Sequence, residues 1–491
     1  MNCRDYIDGV QNGLAGIKAG DVLANSVLRL NTAVALADWV QAKTPYFDRA
    51  ALSAAILSKP MSVAHLANGE GELIQTVARL QRGDPIIVVS HQPTLFTYSG
   101  VYVQFVLADV IISILRERKS ANPVLIYLCL DADDAFDRRI KTAHLPMPSS
   151  ERGTLPLTMP LRTSLRGRPQ CAVPPPDESV LAAWMRQIEG AFANLVGLVP
   201  QYREPLLSAS TRTRIQMLQL FEDSGAAEQL SFADTAAAVF LIFAQKITKA
   251  PIIMVRMTEL IRHGWLALQQ LLGKWHELQS AVNMRVLALQ KIGVSVRSGS
   301  IVGTEPAWAI CRNCAMREPV NLEQAQVLAD EGPDYSIACK QCGASSGGAR
   351  YPGLMPRVVL EDLLGVLLTD AAVELTYAGS SEHVLIADWT IPELLRLPSP
   401  IFTSHPKQVL GGAVEQAALF LRDGVHRETA LRSLQAAVNG RDPFLHSLAD
   451  VSPSEHASAW TAHFRHEHIS VPMILRNTDT CRSVKKAGIL T

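Results

Sequence analysis

The sequence predicts an α/β protein built on a parallel sheet, and three observations carry that prediction. Pro85-Ile-Ile-Val-Val-Ser90 places four consecutive β-branched residues after a Gly-Asp-Pro turn, and Pro123-Val-Leu-Ile-Tyr-Leu-Cys-Leu130 is a second uninterrupted apolar run. Runs of this kind suit strands buried on both faces, which occur where helices cover both sides of a parallel sheet. Between them, His91 to Gly100 reads as a polar loop and Val101 to Lys119 as a helix. Strand, loop, helix and strand in that order form a βαβ unit.

The flanking segments follow from their periodicity. Residues 1–85 read as helices: Ala33, Val34, Leu36, Ala37, Trp39 and Val40 share one apolar face, and Asp48 to Leu57 forms another. Pro146 to Pro176 is proline-rich and predicts a connection with short strands, such as Thr154 to Pro160. Helices are expected from Glu178 to about Gly293. The longest runs from about Thr258 to Ile292, where Ile261, Trp265, Leu268, Leu272, Trp275, Leu278, Val282 and Leu289 recur at three- and four-residue steps. Such a stripe reads as core, or as a candidate homodimer surface. Arg357 to Leu360 predicts a strand and Glu361 to Leu375 a helix or a helix plus strand. The tail from Glu415 is expected to be helical, with a capping box at Ser452-Pro-Ser-Glu455.

Composition bounds the function. The chain has 491 residues, 46 basic and 46 acidic side chains and no formal net charge; 48% is apolar and 19% charged. A disordered chain lacks so much apolar material, and a broadly basic nucleic-acid coat would not balance its charges. At about 100–200 residues per domain, roughly two to four domains are expected. Met1 to Gly20 carries Arg4, Asp5, Asp8 and Lys18 without the apolar run of a signal peptide. No stretch approaches the roughly 18 apolar residues of a membrane helix. Four of the eight cysteines form two close pairs and four are scattered, which suits a metal in a reducing compartment better than disulfides. A cytoplasmic, soluble protein is expected, with no membrane partner.

Cys311-Arg-Asn-Cys314 and Cys339-Lys-Gln-Cys342-Gly343 are separated by 24 residues. Each pair can supply two adjacent corners of a tetrahedron, so together they predict a structural Zn²⁺ ribbon. An iron–sulfur or redox role is the alternative. Gly343 allows the tight turn after the second pair. A closed four-thiolate site reads first as a fold staple; such a ribbon can also present Arg312, Lys340 and Arg350 to a nucleic acid or a phosphate. His456, His463, His466 and His468 are a weaker metal candidate, since no carboxylate pattern completes a triad.

In open parallel sheets ligands sit beyond the carboxyl ends of the strands. The first such end, Ser90-His-Gln-Pro-Thr-Leu-Phe-Thr-Tyr-Ser-Gly100, supplies an imidazole, a carboxamide and hydroxyls but no standard phosphate-loop motif. The second, Asp131-Ala-Asp-Asp134, offers three carboxylates. They suit Mg²⁺, a cationic amine or a ribose, or form a solvated turn.

These blocks carry a resemblance. Val88-Val-Ser-His-Gln-Pro-Thr-Leu-Phe-Thr97, followed by Gly100-Val-Tyr102 and a helix, resembles the strand and "GQQ-P-G-L-F-x-G-P-L-Y" loop of the bacillithiol-biosynthesis cysteine-adding enzymes. Leu128 to Asp137 is similar to that family's "EDHDF-E/D" segment. Pro356-Arg-Val-Val-Leu-Glu-Asp362 is similar to its "L-R-P-L-x-Q-D", and Tyr377-Ala-Gly-Ser-Ser-Glu-His383 to its "Y-V-G-G-P-G-E". The resemblance covers roughly 100 of the 491 residues, in the family's order. It implies a Rossmann-like core related to class I aminoacyl-tRNA synthetases and split by helical insertions. It also implies a biosynthetic ligase that joins an amino acid to an amine-bearing small molecule or carrier. ATP and Mg²⁺ are the implied ligands, and aminoacyl-tRNA or a carrier protein are further candidate donors or acceptors.

Gln92, Pro93, Leu95, Phe96 and Tyr102 match the first motif, Asp131, Asp133 or Asp134 the second, and Arg357, Asp362, Gly379 and Glu382 the third. Ser90 and His91 replace the family's Gly and first Gln, Thr94 its second Gly, and Val106 a lysine. These departures lie where a substrate is gripped and point to a different amino acid or acceptor. The expected chemistry assigns His91, Gln92, Glu382 and His383 to catalysis. Ser90, Thr94, Phe96, Tyr102, Asp131, Asp133, Asp134, Arg357, Asp362 and Gly379 are expected to bind nucleotide or amino acid. A non-catalytic RNA- or partner-binding scaffold is the alternative, which the balanced charge disfavours. The expected organisation is 1–145, helices and the first half of the core; 146–299, a mainly helical connecting region; 300–350, the zinc ribbon; 351–410, the second half of the core; and 411–491, a helical C-terminal region.

Overall fold

The computed structural model describes residues 33–41, 49–57, 62–94, 99–118, 121–146, 154–198, 203–223, 231–293, 305–320, 336–347, 354–356 and 368–376, isolated positions between these, and 401–402 and 473–475. Residues 1–32, the tail from Glu415 apart from one short strand, and the four C-terminal histidines lie outside the described residues. Among the described residues three helices come first: α1 (Ala33–Gln41), α2 (Ala50–Leu57) and α3 (Ser62–Gln81). Then β1 (Ile86–His91), α4 (Ser99–Glu117) and β2 (Val124–Cys129) form the expected βαβ unit. A short α5 (Arg138–Lys141) leads into the hairpin β3 (Thr142–Pro146) and β4 (Thr154–Thr158). Helices α6 (Glu178–Leu198), α7 (Arg203–Asp223) and α8 (Phe232–Ile247) precede β5 (Ile252–Arg256).

The strand β5 was not expected. Ile252-Ile-Met-Val255 is only four residues long, too short to separate from a buried helical turn by pattern, although Pro251 before it is a strand-start signal. It pairs parallel with β2, so the connecting region 146–299 contributes to the core sheet as well as supplying helices. The single long helix expected over 258–292 is also three: α9 (Met257–His263), α10 (Trp265–Leu272) and α11 (Trp275–Lys291). Glycines mark both breaks. At Gly264 a Cβ would lie 2.3 Å from a methyl of Leu368, so a larger residue there would have to displace the Leu368 side chain.

Four short strands follow, β6 (Ala307–Ile310), β7 (Arg317–Val320), β8 (Ser336–Ala338) and β9 (Ser345–Gly347), then β10 (Leu354–Pro356). The last was expected to lead into the second half of the core. It instead pairs antiparallel with β6 in a three-stranded sheet, because its ladder partners Ala307–Ala309 belong to the cysteine module. The strand expected over 357–360 lies outside the described residues. Helical turns between 361 and 369 then lead to β11 (Val373–Thr376), as the helix-plus-strand reading anticipates. Two short strands, β12 (Ile401–Phe402) and β13 (Met473–Leu475), complete the set.

The main sheet has the order β12-β13-β11-β1-β2-β5. The contiguous strands β11, β1, β2 and β5 are parallel, while β13 and β12 add antiparallel pairs. Leaving out the antiparallel edge, the chain builds outward from β1 through β2 to β5, then returns to place β11 on the other side of β1. The sheet therefore reverses direction between β1 and β11, the kind of position where open α/β sheets leave a crevice. Phe105 of α4 and Phe240 of α8 both stack on Tyr127 of β2, with centroids 5.9 and 4.9 Å away, so these helices share one face of the sheet.

A buried ion pair anchors the return. Arg49 Nε donates to Asp370 Oδ2 at 3.1 Å, and its Nη1 reaches the Leu80 carbonyl at 3.2 Å. Both side chains are at most 4% exposed, and Asp370 sits at φ 50 just before β11. Asn tolerates that backbone but removes the charge, so Asp370→Asn leaves Arg49 buried and unpaired. Urea unfolding is expected to show a loss of about 3 kcal/mol.

Candidate functional site

Strand β1 aligns Ser90 with Leu128 on one side and Thr376 on the other, and His91 with Cys129. This register brings the first polar loop beside the acidic turn after β2. Ser90 is buried, His91, Gln92 and Thr94 are half-buried, and Asp133 is half-buried opposite them. Gln92 Nε2 donates to Asp133 Oδ2, so the two expected blocks meet at one end of the sheet. Tyr102 lies on α4, near its start, within the helix that follows this loop. Val106, at the position of the family's lysine, is buried in the core. Phe96, Arg357, Asp362, Gly379, Glu382 and His383 lie outside the described residues.

The His91 ring is oriented by its own backbone. Its Nδ1 is 2.6 Å from the Gln92 carbonyl oxygen. A carbonyl only accepts, so Nδ1 carries the proton and Nε2 the lone pair in the neutral ring. Burial pushes the imidazole pKa down to about 4, against the opposing Gln92 contact, so the neutral ring prevails near pH 7. Tyr127 Oη donates to the His91 carbonyl at 3.4 Å, and Leu130 N donates to it at 3.1 Å. The strand end is thus tied to the core beneath it.

The three carboxylates of the acidic turn have different surroundings. Asp131 is buried and accepts from Thr258 N at 3.1 Å and from Thr258 Oγ1 at 2.6 Å, capping the start of α9. Burial raises its pKa to about 6 despite these bonds. Asp134 accepts from Phe136 N at 2.9 Å and pairs with Arg317 at 3.1 Å. All three expected ligand-binding carboxylates therefore have protein partners, and Asp133 is the one whose partner, Gln92, belongs to the first loop. The sequence did not disclose this difference, because the partners Thr258 and Arg317 are 127 and 183 residues away in the chain.

Further groups escaped the sequence reading. Gln170, buried in a turn, donates its N–H to the Asp133 carbonyl at 2.9 Å, and both side-chain amide atoms lack a hydrogen-bond partner. Cys129 and Cys171 lie near Asp131, and burial first, then that neighbouring charge, pushes both thiols up. They are poor nucleophiles there. Arg256 pairs with Asp234 behind them. Only the strand-end position of Cys129 was visible in sequence.

The four paired cysteines form the second site. Each pair closes a turn between short strands, β6 and β7 for the first and β8 and β9 for the second. The turns repeat one pattern: Cys311 N donates to the Met316 carbonyl at 2.8 Å, as Cys339 N does to Ala344 at 2.9 Å. Ala315 N returns to the Cys311 carbonyl, and Gly343 N to the Cys339 carbonyl. Ala315 and Gly343 both take positive φ, 57 and 70, which glycine adopts without strain. The sulfurs approach across the pairs, Cys311 to Cys342 at 3.6 Å and Cys314 to Cys339 at 3.5 Å, and all four lie within 4.8 Å of one another. A tetrahedral thiolate site with metal–sulfur bonds of about 2.3 Å has edges of roughly 3.8 Å. The cluster can therefore hold a metal ion. No helix among the described residues is long and apolar enough to cross a membrane.

His91 and Asp131 oppose each other in acid. Between pH 6.5 and 4 the unfolded chain protonates His91 while the folded protein does not, so this residue removes stability as pH falls. Between pH 6 and 3.8 the folded protein protonates Asp131 and the unfolded chain does not, so this residue adds stability as pH falls. Each effect reaches roughly 3 kcal/mol at full extent. Relative to wild type, His91→Asn is expected to gain stability between pH 6.5 and 4, and Asp131→Asn to lose it. Denaturant unfolding at pH 7 and pH 4.5 checks both signs.

The scan against protein-family models finds no match, and the search of curated proteins finds none either.

Proposed function

We propose that the chain is an amino-acid ligase with a synthetase-like, Rossmann-like core and a zinc ribbon. The supporting observation is the contact between Gln92 and Asp133, which joins the first loop to the acidic turn beside the sheet's reversal. Asp133 is the carboxylate suited to an amino acid's ammonium group or a ribose hydroxyl, with Gln92 fixing its orientation. A Mg²⁺ ion takes one or two protein carboxylates together with substrate phosphates. A single Asp133 fits that mode, and Asp131 and Asp134 do not add ligands. Anionic phosphates would suit the start of α4, because the first N–H groups of a helix have no partner within the helix.

In this reading ATP is a substrate. The amino-acid carboxylate displaces pyrophosphate from it, and the acceptor amine then displaces the nucleotide. A carbon–nitrogen bond forms as the acyl carbon–oxygen bond breaks, and the amine proton must leave. His91 Nε2 carries a lone pair at this strand end, and with a ring pKa near 4 it is a weak base near pH 7 and holds the proton only transiently. Arg357 and Glu382 keep the places that the family resemblance implies, and Glu382 or His383 is the alternative acceptor for the amine proton. The competing reading, a non-catalytic RNA-binding scaffold, draws on the exposed Arg312 and Lys340 at the tips of the cysteine turns.

ATP–pyrophosphate exchange with the full chain, screened across the amino acids, tests the proposal. Exchange is expected with one amino acid or a few, and Gln92→Ala and Asp133→Ala should each lower it by about tenfold or more. Absence of exchange, together with RNA binding that weakens steeply with salt, would favour the scaffold. The metal is tested separately. Elemental analysis is expected to give one zinc per chain, and Cys314→Ser with Cys342→Ser to abolish it.

A further inference from the structure

We propose that Arg317 makes the order of the acidic turn depend on metal in the four-cysteine cluster. This inference does not rest on the ligase reading, because it concerns a link between two parts of the fold whatever the crevice binds.

Arg317 is the first residue of β7, three positions beyond Cys314. Its backbone N–H donates to the Gly167 carbonyl at 3.1 Å, and Nε reaches the same oxygen at 3.4 Å. Nη1 donates to the Ala132 carbonyl at 3.2 Å, and Nη2 pairs with Asp134 at 3.1 Å. The guanidinium lies 5.1 Å from the Trp308 ring of β6. One planar fork thus holds a carboxylate and two carbonyls from two separate loops, a geometry that the point charge of lysine cannot reproduce.

Those loops are joined to each other as well. Ala135 N donates to the Arg168 carbonyl at 3.2 Å, Gln170 N to Asp133 at 2.9 Å and Cys171 N to Asp131 at 3.1 Å. Asp134 also bridges to Pro169. Asp133, the carboxylate paired with Gln92, therefore sits in a turn pinned by Arg317 on one side and by residues 168–171 on the other.

The path from the metal to that pin is short. A bound metal fixes Cys311, whose N–H holds the Met316 carbonyl at 2.8 Å, and Arg317 is the next residue. Strands β6 and β7 have four residues each and β10 adds only three, so this small sheet has few ladder bonds to hold it without a staple. Loss of the metal therefore frees the segment that carries Arg317. The Ala132 and Gly167 carbonyls and the Asp134 carboxylate then lose their shared donor.

Hydrogen exchange with mass spectrometry on the full chain, before and after zinc removal by a chelator, tests the link. In wild type, peptides covering 131–137 and 165–171 are expected to exchange about tenfold faster once zinc is removed, while β1 and β2 keep their protection. In Arg317→Ala they should exchange at the faster rate with one zinc still bound, and removing it should add little. Arg317→Lys should not restore protection. Asp134→Ala opens the same link from the other side and serves if the arginine variant fails to fold. Unchanged exchange in 131–137 on zinc removal would overturn the proposal. So would retained protection in zinc-bound Arg317→Ala, or in zinc-bound Asp134→Ala.

Discussion

Strand β1 has parallel partners on both edges, and its residues Ile86 to Val89 are buried. A strand enclosed in this way must receive every ladder hydrogen bond from neighbours and cover both faces with apolar side chains. The rest of the fold answers that requirement. Strands β2 and β5 extend one side, β11 returns to fill the other, and Phe105 and Phe240 close over Tyr127 on the sheet's face. The polar end of β1 then has no freedom to sit elsewhere, and His91 and Gln92 emerge beside the turn that ends β2.

Around that point the protein treats similar groups differently. Asp131, Asp133 and Asp134 span four positions of sequence, yet the first caps a helix, the second meets Gln92 and the third holds an arginine of the cysteine module. Burial keeps His91 neutral and raises the pKa of Asp131, so the two burials work in opposite directions on acid stability. The cysteine module is not an appendage to this arrangement. Its first turn passes directly into Arg317, which grips the acidic turn, so the cysteine cluster and the acidic turn are linked through one residue.

Local chemistry made several of these features legible. The Ile86–Val89 and Val124–Cys129 runs announced buried strands because both faces were apolar, and the CxxC spacing announced a thiolate cluster because two residues between ligands suit one tetrahedral edge. The Ile252–Val255 run was less legible because four apolar residues fit a strand or a buried helical turn equally well. Gly264 and Gly273 did not reveal that three helices replace one, since a lone glycine is often tolerated inside a helix. Leu354–Pro356 read as the approach to the core because its antiparallel partner, Ala307–Ala309, lies outside any local pattern.

By itself, the sequence determined which segments must be buried, which turns must be polar and which four thiols can share a metal. These properties follow from side-chain chemistry and short-range periodicity, and folding does not alter them. Tertiary structure decided the partners. It set β5 beside β2, assigned Asp131 to Thr258 and Asp134 to Arg317, and left Asp133 to face Gln92. The reason is that a hydrogen bond or ion pair depends on distances of about 3 Å, which the chain sets between residues 41 or more positions apart only when the sheet closes.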